Sequence, residues 1–267
     1  MTPQTSEASA ITNTAPPTGL PVWETVAVSL TGSSHAASAK PCQDHATVFS
    51  PTSDQTTVFI VVSDGAGSAK ESQLGSEAAV SAVRSYIEDE FRRSQPSTPT
   101  EWTVLLAASI DAARQGLLAL ATPERPISDL ACTLLVTAAS ADCVASAGIG
   151  DCAAVYQGPD GDLRLAYEPD CGAYANETFF LSGAGWLRHL HTAFYDDAAT
   201  YVMAFSDGLQ FVALERGRPY EGFIHGLVSE LKRLPAESRV TALSRYLEDN
   251  VAGALTDDDI SLVIAWR

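Results

Sequence analysis

Thr57-Val-Phe-Ile-Val-Val-Ser63 runs directly into Asp64-Gly-Ala-Gly67, and this stretch decides how the rest of the chain is read. An uncharged run rich in Val, Ile, Phe and Thr has the composition of a buried strand. The glycines that follow let backbone approach a ligand closely, so Gly65 can offer its carbonyl to a metal. Lys70 occupies the third glycine position of a dinucleotide fingerprint, and the GxxxxGK[ST] of a phosphate-binding loop is absent, so neither nucleotide motif applies.

Working outward, the turn-rich Ser50-Pro-Thr-Ser-Asp-Gln55 separates this strand from a second, His45 to Phe49, which makes the pair a hairpin. Asp44 immediately precedes one strand and Asp64 immediately follows the other, symmetrically about position 54. Residues equidistant from an antiparallel turn face each other at roughly 4.5 to 5.5 Å. Two facing carboxylates in a partly dry site repel, and a hard divalent cation between them resolves the conflict.

Other acids fall at comparable places. Asp207 ends the apolar run Val202 to Ser206, Asp258 stands before the closing strand Ile260 to Trp266, and Asp151 sits at the Gly150-Asp151 turn after Ala145 to Ile149. Ligands that are all oxygen, with no His or Cys beside them, point to Mg²⁺ or Mn²⁺ rather than zinc. Any one of these acids alone is as well explained by turn chemistry.

The remaining elements set the fold class. Glu24 to Leu30 reads as a strand. Ser68-Ala-Lys-Glu71 has the form of a capping box ahead of Leu74, Ala78, Val83, Ile87 and Phe91, and Thr98-Pro-Thr-Glu101 repeats that signal ahead of Leu105 to Leu120. Short Val, Ala, Leu and Thr runs between Cys132 and Val155 are strands again, while 220–234 and 237–251 are amphipathic helices. Strands joined by short turns are antiparallel, and helices that arrive in pairs argue against a doubly wound fold. The expectation is an α+β domain of two packed, mainly antiparallel sheets flanked by helical layers, spanning 23–267. Residues 1–22, rich in Thr, Ser, Ala and Pro, read as a flexible tail.

Composition narrows the partners. The chain has 267 residues, 46% of them hydrophobic, with 16 Lys plus Arg against 33 Asp plus Glu and a formal net charge of -17. That charge disfavours nucleic acid and anionic membranes, and phosphate chemistry on such a surface needs a local cation. The five cysteines show no CxxC pairing or zinc spacing, which fits a reducing, cytoplasmic setting. No continuous apolar run of about 18 residues suggests a membrane span, and the N-terminus lacks the features of a signal peptide.

Taken in order, the motifs resemble the protein phosphatase 2C family over about Ser29 to Ala265. Cys42-Gln-Asp44 is similar to its first acidic motif, Val61 to Gly67 to its Asp-Gly-x-Gly, and Ala131-Cys-Thr-Leu134 to its small-residue strand. Gly150-Asp-Cys152 resembles the Gly-Asp-Ser turn, Phe205-Ser-Asp-Gly-Leu209 the Ser-Asp-Gly motif, and Asp258-Asp-Ile-Ser261 the final Asp-Asn-Ile-Thr. Gly32-Ser-Ser-His35 and Tyr174-Ala-Asn-Glu-Thr178 look like a divergent bacterial branch.

The resemblance implies a four-layer αββα sandwich that hydrolyses phosphoserine or phosphothreonine on target proteins of a serine/threonine kinase. It implies two Mg²⁺ or Mn²⁺ ions: Asp64 bridging both, Asp207 and Asp258 completing one site, the Gly65 carbonyl and waters the other, and Asp44 orienting water. Asp151 with Asp207 would suit a weaker third ion. The expected chemistry is in-line displacement at phosphorus by a metal-bridging hydroxide.

Some positions depart from the pattern. Ala66 stands where many eukaryotic members have a His, Asp259 replaces the usual Asn, and Cys152 replaces Ser. No Arg lies between Glu24 and Asp44, leaving His35 and Lys40 as the phosphate-binding cations. These departures keep a second function open, a pseudophosphatase that uses the acidic cleft to bind a regulatory partner. A third, an amide hydrolase of similar layering, would need an exposed N-terminal nucleophile. His189-Leu-His191 could hold a metal on a strand but reads more simply as surface residues. The sequence leaves the oligomeric state open.

Overall fold

The computed structural model of the chain describes residues 22–170 and 178–267, so the expected N-terminal tail and most of the Tyr174-to-Thr178 motif lie outside the described residues. Strands β1 (Glu24–Leu30), β2 (His45–Phe49) and β3 (Val58–Ser63) come first, with a short helix α1 (Ser33–Ala37) after β1. Helices α2 (Ser72–Arg93) and α3 (Pro99–Leu120) follow. Next come β4 (Leu134–Ala139), β5 (Val144–Ile149), β6 (Ala153–Gln157), β7 (Leu163–Tyr167), β8 (His191–Tyr195) and β9 (Tyr201–Phe205). Then α4 (Gln210–Ala213), β10 (Leu214–Glu215), β11 (Arg218–Pro219), α5 (Glu221–Arg233), α6 (Ala236–Asn250) and β12 (Ile260–Trp266) close the chain.

Ten strands form two five-stranded sheets, ordered β1-β12-β9-β6-β7 and β2-β3-β4-β5-β8, and every pairing in them is antiparallel. The run that opens β3 is apolar at every position because both faces of the strand are covered. Phe59 and Val61 pack with Val80, Ile87 and Leu106 of the helical pair, whereas Val58, Ile60 and Val62 pack with Val202 and Val263 of the other sheet. On that second sheet Met203, Phe205, Leu262 and Ile264 face Ile224, Leu227, Leu243 and Leu247 of α5 and α6. Each such side chain contributes about 1.5 to 3 kcal/mol on leaving water, so the three apolar layers hold helices and sheets in a fixed stack. The fold is a four-layer αββα sandwich of the α+β class.

Two helix starts came out differently. At Thr98 the capping box forms, with the Thr98 hydroxyl accepting from the Glu101 N–H and Glu101 reaching back to the Thr98 N–H. The expected box at Ser68 does not form, and α2 begins at Ser72. Glu71 is diverted: its carboxylate pairs with Arg125 at 3.1 Å and its N–H donates to the Asp129 carbonyl.

Helix α3 is long and apolar enough to cross a membrane by length and composition alone. Glu101, Asp111 and Arg114 interrupt it, so it is not the continuous apolar run whose absence the sequence indicated. Its Trp102, Leu106, Ile110, Ala113 and Leu117 are buried against the β2-to-β8 sheet, which is the position of a core helix.

The sequence reading did not separate out β7 and β8. Both lie at sheet edges, and they carry the half-buried Arg164 and the exposed His191 and Thr192 among apolar positions. Phe179-Phe180 forms no strand, and the Phe179 ring instead stacks on His189.

Candidate metal centre

The acids converge because the strand register carries them to one rim of the sandwich. His45 pairs with Ser63, and one further step sets Asp44 opposite Asp64, as the hairpin symmetry requires. In the other sheet Phe205 pairs with both Leu262 and Ala153. The end of β9, the start of β12 and the start of β6 therefore share an edge, and Asp207, Asp258 and Asp151 stand just beyond it.

Local hydrogen bonds fix each segment. The Asp64 N–H donates to the Thr133 hydroxyl at 3.0 Å, and the Asp64 carbonyl accepts the Thr133 N–H at 2.8 Å. Gly65 then bridges to Cys132. A Cβ at position 65 would lie 2.5 Å from the Gln43 carbonyl oxygen, so the approach of the segment carrying Asp44 requires glycine there. Asp151 is held by residues the sequence reading did not place in the site: the Thr178 hydroxyl donates to Oδ2 at 2.5 Å, and the Gln210 amide donates to its backbone carbonyl. Thr178 closes the Tyr174-to-Thr178 motif, but nothing local assigns it to Asp151, and no signal marks Gln210; both reach Asp151 only through tertiary packing. Asp258 accepts the Asp259 N–H at 2.8 Å on Oδ1.

The electrostatics are those of negative charge crowded into a dry place. Burial, reinforced by Asp259 and Asp207, pushes the Asp44 carboxyl up to about 8, although the Ser206 hydroxyl and a hydrogen bond shared with Asp64 pull part of it back. Asp64 is raised well above the ordinary carboxylate range by burial first, then by Asp44, Asp207, Asp151 and Asp258. Asp207 rises to about 7 through burial and the neighbouring Asp151 and Asp258. Burial also raises Asp151. Among the described residues, no Lys or Arg pairs with any of these five acids; the arginines pair elsewhere.

Asp44 Oδ2 and Asp151 Oδ1 are buried with no hydrogen-bond partner. An orphaned buried carboxylate oxygen costs several kcal/mol unless it is protonated or meets a cation. The residues therefore fit a hard divalent ion. Among the described residues no group of three His, Cys, Asp or Glu already surrounds a common point. Coordination would then include waters or a turn of the side chains, which suits Mg²⁺ and Mn²⁺, ions that keep part of their hydration. An open cleft of about 600 Å³ reaches this rim, lined by Asp151, Asp207, Leu165, Glu168 and Phe211.

Of the two expected phosphate-binding cations, His35 is corrected by the structure. It is 9% exposed with Nδ1 2.9 Å from Asp259 Oδ2, so it faces an internal carboxylate rather than the cleft. Lys40 is exposed and lines a separate cavity of about 490 Å³ with Gln43, Gly67 and Lys70. Ala66 is buried and offers no proton. Cys42, Cys132, Cys143 and Cys152 are all free, and burial holds their thiols well above the ordinary range. His189 Nδ1 and His191 Nε2 lie 3.8 and 3.1 Å from Asp170 Oδ2.

The chain is 30% identical over 256 residues to serine/threonine-protein phosphatase 3 of Escherichia coli K12, covering 91% of this chain and 98% of that protein. Among solved structures it resembles the catalytic domain of the serine/threonine phosphatase PstP in complex with two manganese ions (TM-score 0.62, 16% identity, 92% and 98% of the two chains). It also resembles the serine/threonine phosphatase Stp1 of Staphylococcus aureus (TM-score 0.63, 14% identity, 92% and 96%). Those two likenesses show the fold. Residues 31–248 match the family profile described as Protein phosphatase 2C, and with the whole-length relative this establishes that the chain belongs to the protein phosphatase 2C family.

Proposed function

We propose that the chain is a metal-dependent protein serine/threonine phosphatase that hydrolyses phosphomonoesters directly, without a covalent enzyme intermediate. One observation carries this reading: buried and half-buried carboxylates from four separate segments meet at one rim with raised pKa values and no cation from the described residues. Asp64 would lie between two divalent ions, Asp207 and Asp258 would complete one, and the Gly65 carbonyl would serve the other, while Asp151 with Asp207 would suit a weaker third. When bound, such ions would neutralise phosphoryl oxygens and lower the pKa of a bound water toward about 7, which would make hydroxide available without a histidine base.

The chain's own part is to place and to hold. Asp44, through its unpartnered Oδ2, accepts a hydrogen bond from the attacking water and aims it at phosphorus. That water forms the new P–O bond in line with the bond to the serine or threonine oxygen, which breaks. Ala66 cannot donate a proton, so the departing alkoxide takes one from solvent. Thr133, by gripping the Asp64 backbone from both sides, keeps that carboxylate at the centre of the cluster.

The substrate class is a phosphoprotein made by a serine/threonine kinase, and the reading assigns 23–267 to the catalytic domain. Four free thiols support a reducing, cytoplasmic setting. The test is phosphate release from a phosphothreonine peptide with Mn²⁺ and after chelation. Release with Mn²⁺ that stops on chelation is expected, and no release at any Mn²⁺ or Mg²⁺ concentration would contradict it. The second reading, a pseudophosphatase that binds a partner through the same cleft, draws on Ala66 and on the burial of His35. It predicts peptide binding without phosphate release.

A further inference from the structure

Asp259 is 2% exposed, and its two oxygens tie separate chain segments together. Oδ1 accepts the Gly32 N–H at 2.7 Å and Oδ2 accepts the Gln43 N–H at 2.6 Å. His35 Nδ1 stands 2.9 Å from Oδ2, outside hydrogen-bond geometry but packed directly against the carboxylate. The Gly32 side is tight as well. The Ser34 N–H donates to the Asp257 carbonyl at 3.0 Å, and a Cβ on Gly32 would fall 2.2 Å from the Asp258 carbonyl carbon.

The clamped residues are the immediate neighbours of two of the acids. Gln43 precedes Asp44, and Asp259 follows Asp258. We propose that Asp259 is a positioning residue of the metal centre: its carboxylate, backed by His35, locks the backbone carrying Asp44 to the backbone carrying Asp258 and thereby sets the affinity for divalent ions. The proposal rests on the metal reading of the cluster. A carboxylate is required because two N–H donors arrive on two different oxygens, and bonds to a charged acceptor are the stronger kind. An asparagine has one acceptor oxygen, so its NH₂ would confront one of the two donors and leave a buried N–H unsatisfied.

A rival account treats Asp259 as one more negative charge that attracts cations from a distance. The two accounts part at His35. Removing that imidazole takes away no negative charge, so a pure charge effect leaves Mn²⁺ binding unchanged or tighter, whereas a loosened clamp weakens it.

The experiment titrates the metal-free protein with Mn²⁺ by calorimetry and follows hydrogen exchange at the Gly32 and Gln43 amides. Asp259→Asn is expected to raise the Mn²⁺ Kd about tenfold and to lose protection at one or both amides. Turnover lost at limiting Mn²⁺ should return at saturating Mn²⁺, a recovery that general damage to the fold would not allow. His35→Ala is expected to weaken binding on the order of threefold. Unchanged or tighter Mn²⁺ binding in His35→Ala overturns the clamp, as does an Asp259→Asn protein that titrates like the wild type. If Asp259→Asn does not fold, the His35→Ala titration decides alone. A wild-type protein that takes up no Mn²⁺ sinks the metal reading itself, and the clamp with it.

Discussion

The two ends of β6 handle negative charge in opposite ways. At its far end, the turn into β7, Asp160 is held below the ordinary carboxylate range by a hydrogen bond from the Arg164 guanidinium. Arg164 also lies 3.6 Å from Asp197, which accepts a hydrogen bond from the Tyr156 hydroxyl at 2.9 Å. At its near end, Asp151 joins Asp44, Asp64 and Asp207, and every one of these is raised instead. The chain therefore can supply a cation to an acid, and does so in an exposed turn. It withholds one where the acids are buried or half-buried, which is the arrangement expected where the neutralising charge comes from solution.

Breaking the buried end should have the largest effect. Asp64→Asn is expected to cut Mn²⁺-dependent phosphate release by about a thousandfold or more. It should also raise the midpoint of unfolding of the metal-free protein by about 2–4 °C, because a carboxyl that the fold must keep from ionising is gone. Lower activity together with a more stable metal-free fold is the signature; a fall in both would mean that Asp64 is merely structural.

The next effect is on pH dependence. A carboxyl whose folded pKa lies above its unfolded value binds its proton more tightly when folded, so its contribution is fully present below the unfolded value, about 3.9. It is lost as pH rises through the folded value. With Asp44 at about 8 and Asp207 at about 7, chelator-treated protein should lose stability progressively from about pH 4 to 8. Adding Mn²⁺ should flatten that slope. Thermal melts across the range would show it, and a metal-free stability that rises toward pH 8 would speak against the crowding of these acids.

The smallest effect belongs to the other end. Arg164→Ala removes an exposed partner of Asp160 and Asp197, and exposed pairs contribute little. Turnover and Mn²⁺ affinity should stay within about twofold of wild type. A large loss of Mn²⁺ binding there would erase the contrast.

How much of this was legible in the sequence follows from how local each feature is. The placement of Asp44 opposite Asp64 was readable because a hairpin fixes its own register once the turn is recognised, and the Thr98 box formed because all its parts lie within four residues. The Ser68 box failed because Glu71 found Arg125, 54 positions away, a competition no local pattern records. Edge strands β7 and β8 escaped notice because strands covered on one side carry mixed residues. His35 was read as a cleft cation because its type was right and its surroundings were invisible; Asp259, 224 positions along, turned it inward. Thr178 and Gln210 are likewise set by packing rather than by pattern.

The most direct test is diffraction from crystals soaked in manganese, recorded at the manganese absorption edge. The account predicts anomalous peaks in contact with the carboxylates of Asp64, Asp207 and Asp258. Manganese bound only elsewhere on the molecule, with those carboxylates bare, would contradict it.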